Sequence, residues 1–392
     1  MVSVAADSSD GANAGTQGAS PSSVNLSFMI RAAVIPAPGQ PVEIREFAVP
    51  VMEPGAVLLK TLAAEVCGTD VHLWHGRLAG VPYPLIPGHV SVGEVVETGG
   101  PVFDGENRPV RVGDVVTFLD VHGTCHACHV CTVFKATTRC PHRKVYGITY
   151  GANDGLLGGW SERIYLKSGV HVLPLARGVS PEQWIGGGCG LPTAVHAVEL
   201  ARIQLGDRVL VQGSGPVGLS ACALALLSGA GWVGVIGAPD LRLQAAKKFG
   251  ADWTIDVTTT TPEQRLRAVR DATGGYGPDV VIEASGNPLA VPEGCELARD
   301  AGRYVIVGQY TDNGDVALNP HRHVNKKHLE ICGCWGSDFS HLWRAMEVMA
   351  RFGNRMDWST LITRRYRLDE AGQALADVEA LRVVKAVIAP NG

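Results

Sequence analysis

The sequence predicts an α/β plus β protein, in which a barrel-like β domain is interrupted by a doubly wound parallel sheet. At 392 residues the chain is longer than one ordinary core. Its texture changes after Cys189 from short strands separated by turns to strands alternating with helices, and it returns to β-rich texture near the end. We therefore expect residues 29–189 and 338–392 to form the β domain and residues 190–337 to form the parallel sheet.

Short apolar runs predict the strands of the first domain, and clusters of Gly and Pro predict its turns. The strands are expected at residues 57–59, 92–96 and 115–118, with turns at 36–39, 84–88 and 112–114.

The interrupting segment alternates in a different way. Strands are expected at residues 209–211, 233–236, 279–283 and 303–307, with helices from the glycine turn to Leu227 and over 241–249. Apolar residues at three- and four-residue steps between Leu342 and Phe352 predict one further helix. Val383–Val384 and Val387–Ile388 again resemble strands and are expected to rejoin the first domain.

Composition excludes several classes of function. The net charge of −4 gives no basic field for nucleic acid, and the sequence has no apolar run long enough to span a bilayer. Residues 1–28 contain no basic residue and are mostly small or polar, so we predict a disordered tail rather than a secretory or transit signal. A cytoplasmic location is the expectation.

Cys67, His89 and Cys189 are the first candidate metal site. Two thiolates and one imidazole suit a zinc ion whose fourth position stays open, which is typical of catalytic rather than structural zinc. We expect the first of these ligands to lie on loops of the β domain.

Gly213, Gly215 and Gly218 follow a predicted strand and open a helix. In this context the first glycine permits a tight turn, the second admits a pyrophosphate and the third lets helix and strand pack closely. The helix N-terminus offers free N–H groups to the phosphates. The segment therefore predicts a dinucleotide site.

The choice between NAD and NADP is left open by the end of the second strand. Gly237 stands where a carboxylate would bind the adenosine ribose. Its absence removes a repulsion against a 2′-phosphate, which Arg242 could bind, although Asp240 could still reach the ribose.

Four of the ten cysteines lie within sixteen residues and predict a second, structural zinc site. They are Cys125, Cys128, Cys131 and Cys140. Local disulfides or free thiols are the alternatives, and a neighbouring histidine (His122, His126, His129 or His142) could replace one thiolate. Cys222 and Cys295 lie in apolar helical stretches and are expected in the core.

With these motifs in this order, the chain resembles the zinc-dependent medium-chain alcohol dehydrogenases from about residue 29 to residue 392, in particular the threonine- and polyol-dehydrogenase-like branch. The resemblance implies a GroES-like catalytic domain with a zinc lobe near residues 122–142, an inserted Rossmann domain, and a homodimer or homotetramer. It places Thr69 at the hydroxyl that contacts the substrate oxygen, His72 at the outer end of a proton relay and Thr193 beside the nicotinamide.

One departure from the family concerns the residue after His89. The family usually has Gly-His-Glu, with a glutamate that lies behind the metal and can assist ligand exchange, whereas this chain has Gly88-His89-Val90. The zinc ligands are complete, but this carboxylate is missing.

The function these features predict is hydride transfer between a secondary alcohol or polyol and NAD(P), with one catalytic and one structural zinc. A zinc-free quinone or alkene reductase of the same superfamily is one alternative, although it would need none of the seven metal-binding positions. A non-catalytic nucleotide-binding redox sensor is the other, and the retention of Thr69 and His72 weighs against it.

Overall fold

The computed structural model of the chain describes residues 29–392, so the tail predicted for residues 1–28 lies outside the described residues. Over the described part, no helix is both long and apolar enough to cross a membrane. The strands in chain order are β1 (Met29–Val34), β2 (Glu43–Ala48), β3 (Val57–Val66), β4 (Ser91–Thr98), β5 (Val115–Phe118), β6 (Val121–His122), β7 (Lys144–Val145), β8 (Arg163–Leu166), β9 (Val172–Pro174), β10 (Arg208–Gln212), β11 (Trp232–Gly237), β12 (Trp253–Asp256), β13 (Val280–Glu283), β14 (Arg303–Ile306), β15 (Glu330–Gly333), β16 (Ile362–Arg367) and β17 (Lys385–Ala389).

The described residues contain fewer helices than strands, and most of the longer helices follow strands of the second domain. In chain order they are α1 (Gly68–Trp74), α2 (His129–Thr132), α3 (Pro181–Gly187), α4 (Gly190–Ala201), α5 (Pro216–Leu227), α6 (Asp240–Lys248), α7 (Pro262–Ala272), α8 (Ala290–Leu297), α9 (Phe339–Phe352) and α10 (Ala371–Glu379).

A seven-stranded sheet carries the first domain. Its order is β16-β17-β3-β4-β5-β9, and β8 also pairs with β3. β3 is antiparallel to β17, β4 and β8, and most of its side chains are buried. The last two strands of the chain therefore complete the sheet to which β3, β4 and β5 belong, whereas β1 and β2 form a separate two-stranded sheet.

A six-stranded parallel sheet carries the second domain, in the order β12-β11-β10-β13-β14-β15. The strand order reverses between β10 and β13, so loops diverge there at the carboxyl edge. In open α/β sheets, this crevice is where ligands bind.

The predicted strands and helices correspond to observed ones, although several observed elements extend further and β13 and β14 are one residue shorter. The strand predicted at residues 57–59 runs from Val57 to Val66, for example, and Val383–Val384 precede β17 rather than form a strand. Cys222 and Cys295 are fully buried, as expected for core residues. Of the first metal ligands expected on loops, Cys67 forms the one-residue connection between β3 and α1 as the N-cap of α1, and His89 lies in the segment before β4.

Candidate active site

Cys67, His89 and Cys189 come together from three separate segments of the chain. One ligand atom from each lies within 4.8 Å of the others. Cys67 stands between β3 and α1, His89 precedes β4, and Cys189 precedes α4. The cluster contains three ligands, so a tetrahedral ion held by them would keep one position for water or substrate.

The three side chains shift one another's pKa values. The Cys67 thiol and His89 together lower the pKa of Cys189 to about 7, although burial and the charge of Glu65 oppose the shift. Burial acts to lower the pKa of His89, but the hydrogen bond and charge of Cys189 raise it to about 10. A thiolate beside an imidazolium is a donor set whose protons a divalent cation displaces when it binds.

Buried carboxylates surround His89 and Cys67. Asp70 accepts a hydrogen bond from the Cys67 backbone N–H at 2.8 Å. Burial raises the pKa of both Asp70 and Asp120, and the charge of His89 opposes the shift in each. Carboxylates beside a metal-binding histidine orient its ring and increase its basicity. Sequence reasoning missed Asp120, which follows β5 and adjoins His89 only in the fold.

The most unexpected feature of the site is an ion pair behind Cys189. Glu65 Oε2 accepts the Cys189 backbone N–H at 2.7 Å, and Glu65 Oε1 lies 2.6 Å from Lys385 Nζ. Both side chains are almost completely buried. Sequence reasoning missed this pair. A glutamate within the otherwise apolar run of residues 62–66 was the available signal.

The glycine turn lies directly against the metal cluster. Gly213, which is in the left-handed region at φ +118°, connects β10 to α5, and an added Cβ would lie 2.5 Å from the Ala284 carbonyl oxygen. Gly190 follows Cys189 at the start of α4, and an added Cβ there would lie 2.8 Å from the Pro216 carbonyl carbon. The metal cluster and the glycine turn are thus joined by the contact between the backbones of Gly190 and Pro216.

Gly215 and Gly218 keep the start of α5 open. Gly215 is the N-cap of α5 and provides no side-chain cap, so the first N–H groups of the helix are free for an anion. A Cβ on Gly218 would collide with the Gly213 carbonyl oxygen. This close approach is the packing role that the motif predicts for its third glycine.

Arg242 faces the same turn. Its Nη1 lies 4.0 Å from the place of a Cβ on Gly215, and its Nη2 donates to the Val383 carbonyl at 3.2 Å. Within the described residues its buried Nε has no hydrogen-bond partner, and burial lowers the pKa of the guanidinium. A side chain at Gly237 would collide with the Ser214 hydroxyl, so the strand end is closed to a carboxylate.

Thr69 and His72 both lie on α1. Their spacing of three residues places them on neighbouring positions of one face. His72 is half-buried, its Nδ1 has no hydrogen-bond partner in the part of the chain described, and burial is the main reason that its pKa is lowered. Thr193 lies one turn into α4, and its N–H donates to the Cys189 carbonyl at 3.3 Å.

Tyr310 contacts this helix from the other domain and was not predicted. Its ring meets His72 edge-on with 5.4 Å between centroids, and its hydroxyl lies beside the start of α1, 3.7 Å from the place of a Cβ on Gly68. Burial raises the pKa of the Tyr310 hydroxyl, so it stays protonated. Tyr310 follows β14, at the carboxyl edge where parallel sheets place ligand-contacting residues.

The four clustered cysteines also meet. Their sulfurs all lie within 4.8 Å of one another, with 3.6 Å between Cys128 and Cys131 and 3.7 Å between Cys125 and Cys140. Sulfurs about 2.3 Å from a tetrahedral zinc lie roughly 3.8 Å apart. In residues 29–392 all ten cysteines are free thiols.

The lobe histidines take other partners or lie outside the cluster. His122 contacts the Tyr150 hydroxyl at 2.7 Å and the Ser168 carbonyl at 3.2 Å, and the four-residue cluster consists of cysteines alone. Hydrogen bonds from the Ala127 and Cys128 N–H groups lower the pKa of Cys125 to about 6. This arrangement fits a closed site of four thiolates better than a mixed site.

Comparison with known proteins gives two family models that match consecutive parts of the chain. Residues 53–177 match the alcohol dehydrogenase GroES-like domain, and residues 216–351 match the zinc-binding dehydrogenase model. Among curated relatives, 5-exo-hydroxycamphor dehydrogenase of Pseudomonas putida is 34% identical over 88% of this chain and 95% of that protein. L-Threonine 3-dehydrogenase of Pyrococcus horikoshii is 32% identical over 84% of this chain and 89% of that protein.

Solved structures show the same architecture. An alcohol dehydrogenase from Thermotoga maritima superposes with a TM-score of 0.88 at 33% identity, covering 93% of this chain and 100% of that chain. A zinc-binding dehydrogenase from Sinorhizobium meliloti bound to NADP has a TM-score of 0.81 at 26% identity, with coverage of 93% and 100%. These matches confirm the predicted fold class, a GroES-like domain together with a parallel Rossmann sheet.

Proposed function

This chain belongs to the zinc-dependent medium-chain alcohol dehydrogenase family, and we propose that it transfers a hydride between a secondary alcohol or polyol and NADP. Cys67, His89 and Cys189 hold the catalytic zinc in this proposal. The four cysteines of the lobe hold a second, structural zinc.

The observation that carries the proposal is the contact between the two candidate sites. Gly190 adjoins the ligand Cys189 and packs so closely on Pro216 of the glycine turn that a Cβ would lie 2.8 Å away. A dinucleotide whose pyrophosphate occupies the start of α5 therefore extends toward the zinc ligands. A metal beside a hydride carrier is the arrangement that alcohol oxidation needs.

The donor atoms fit both groups. Two thiolates and an imidazole match zinc, the sulfur separations in the lobe match a four-thiolate site, and the uncapped α5 matches a phosphate. When bound, zinc supplies a Lewis acid that polarises the substrate oxygen and the nicotinamide accepts or donates the hydride.

Thr69 and His72 of α1 accept the proton that the substrate hydroxyl loses. The Thr69 hydroxyl can accept the proton of the substrate hydroxyl and pass it to His72 on the same helix face. Because burial keeps the pKa of His72 below its usual value, His72 is neutral at pH 7 and able to receive a proton. The protonated Tyr310 hydroxyl lies beside the same helix.

NADP is the favoured cofactor because the adenosine end of the site lacks the carboxylate that would repel a 2′-phosphate. Gly237 and the Ser214 hydroxyl occupy that position. Arg242 supplies a partly unpartnered guanidinium close by. The Sinorhizobium meliloti neighbour, which is bound to NADP, agrees with this choice.

The substrate class follows from the relatives, which are named for 5-exo-hydroxycamphor and L-threonine. Both compounds carry a secondary hydroxyl. The family also leads us to propose a homodimer or homotetramer, which light scattering of the purified protein measures.

The direct test is reduction of NADP or NAD, followed at the absorbance band of the reduced nicotinamide with a panel of secondary alcohols and polyols. We expect alcohol-dependent reduction with a preference for NADP, and zinc in the purified protein. Reduction of quinones or activated alkenes by a protein without zinc would instead support the reductase alternative. Tight binding of the nucleotide with no turnover on the panel or on those acceptors would support the sensor.

A further inference from the structure

The loss of the family glutamate at position 90 is matched by a glutamate on the neighbouring strand. The Glu65 backbone N–H donates to the Val90 carbonyl at 3.0 Å, so positions 65 and 90 are direct neighbours between β3 and β4. Glu65 is 1% exposed. The carboxylate that is missing at position 90 is therefore replaced by the carboxylate of Glu65 on the adjacent strand.

This carboxylate points at a zinc ligand. Glu65 Oε2 accepts the Cys189 N–H at 2.7 Å, and Glu65 Oε1 lies 3.7 Å from the Cys189 sulfur. The Glu65 side chain thus contacts both the backbone N–H and the sulfur of Cys189. A residue that contacts a metal ligand in this way orients the ligand.

Lys385 keeps the buried charge in place. Glu65 lies opposite Val387 in the antiparallel pair of β3 and β17, and Lys385, two residues before Val387, faces the same side of the sheet. The Lys385 ammonium lies 2.6 Å from Glu65 Oε1 and is 0% exposed. A buried carboxylate without such a partner would be strongly unfavourable.

The backbone at Gly188 is adapted to this pair. Gly188 has φ +50°, and a Cβ there would collide with Glu65 Oε2 and Lys385 Nζ. The loop that delivers Cys189 therefore passes directly over the two charges. Its path leaves no room for a side chain between the ion pair and the ligand.

We propose that Glu65, held by Lys385, is a positioning residue of the catalytic zinc site and supplies from β3 the buried carboxylate that the family carries at position 90. The proposal rests on the proposed function, because it assumes that Cys67, His89 and Cys189 bind zinc. It assigns the carboxylate to β3 instead of the segment after His89, with Cys189 as the ligand that it holds.

The test is the rate at which each zinc of the native protein transfers to a chromogenic chelator. The double variant Glu65→Gln/Lys385→Met removes both charges and keeps similar volumes, a change that buried pairs often tolerate. We expect it to release the catalytic zinc about 10-fold faster or more, because loss of a residue that orients a metal ligand lowers metal affinity by about 10- to 100-fold. The lobe zinc should leave at the wild-type rate, which gives an internal reference.

Two further variants make the result specific. Adding Val90→Glu to Glu65→Gln returns a carboxylate to the family position and should restore slow release. Asp377→Asn is the matched control, because Asp377 is also a buried carboxylate, bonded to Tyr366 and Arg364, in the same domain. It should leave both release rates unchanged.

The outcomes separate the two proposals. Release of the catalytic zinc from the double variant at the wild-type rate would overturn the role of Glu65 and leave the proposed function standing. A wild-type protein that binds zinc only in the lobe, so that Cys67→Ala does not lower its zinc content, would overturn both. A shift of the visible bands of the cobalt-substituted site in Glu65→Gln, absent in Asp377→Asn, would support the positioning role independently.

Discussion

Arg242 shows how one side chain can decide cofactor choice. Its guanidinium lies between the glycine turn and the Val383 carbonyl, with Nε free of protein partners in the described chain. We expect Arg242→Leu to lower kcat/KM with NADP about 10-fold or more, since a hydrogen bond to a charged group contributes roughly 1.5–3 kcal/mol. The value with NAD should change little. Steady-state kinetics with both cofactors measures the difference.

An equal loss with NADP and NAD would contradict this assignment. It would place Arg242 on the pyrophosphate that both cofactors share. Asp240, the alternative ribose partner, bonds Gln244 instead, and Asp240→Asn should therefore not alter the ratio.

His72 is the second residue whose surroundings lead to a prediction. Because burial lowers its pKa, the rate of alcohol oxidation should rise with pH through a value below about 6.5 and then level off. We expect His72→Asn to lower kcat at neutral pH about 10-fold or more and to remove that rise. The measurement is kcat against pH.

The matched control for His72 lies three residues further on. His75 contacts Glu379, and His75→Asn should keep the rise of kcat with pH, moved slightly upward because the charge of His75 helps to lower the pKa of His72. An unchanged pH profile in His72→Asn would show that the proton leaves by another path.

At the scale of elements, the approach of α4 to α5 joins the metal cluster to the nucleotide turn. A Cβ on Gly190 would lie 2.8 Å from the Pro216 carbonyl carbon, so Gly190→Ala forces the two helices apart. We expect a loss of about 1–3 kcal/mol of stability, as for overpacking elsewhere, and weaker cofactor binding. Thermal unfolding and fluorescence titration with NADPH measure the two effects.

Gly372→Ala provides the comparison. Its Cβ would meet only the Val42 Cβ at 3.8 Å, and Ala favours a helix over Gly by about 1 kcal/mol. This variant should therefore be as stable as wild type or more stable. If Gly190→Ala behaved in the same way, the close contact between the helices would not be important for the site.

Elements near the site also show what the sequence could predict. The strand, glycine turn and helix from Arg208 to Leu227 follow from local apolar runs and three glycines, and they appear at the expected places. The helix α1 was not expected, because its seven residues are too few for a clear periodicity. Its N-terminus is stabilised by the Asp70 bond to Cys67.

At the scale of the whole molecule, long-range partners set the limit of prediction. Cysteines and histidines at metal-binding spacing can be recognised in the sequence, because few other functions require these residue types close together. Glu65 gives no comparable signal, because its partner Lys385 lies 320 residues away in sequence. Tyr310 reaches α1 from the other sheet, and only the packing of the two domains brings them together.

The same packing makes the zinc site a property of both sheets. Cys67 directly follows β3 and His89 precedes β4, both strands of the seven-stranded sheet, whereas Cys189 is the N-cap of the helix that packs on the glycine turn. The C-terminal strand adds Lys385 beneath them. The site therefore needs the start, the middle and the end of the described chain in their observed arrangement.

The most direct test of this account compares alcohol-dependent NADP reduction by wild-type protein and by Cys67→Ala, with zinc content measured on the same samples. We expect about two zinc ions per chain in wild type, as two such donor sets predict, and loss of one ion together with all turnover in the variant. The lobe zinc and the fold should remain. Alcohol-dependent reduction by Cys67→Ala at the wild-type rate would show that the reaction does not take place at this cluster.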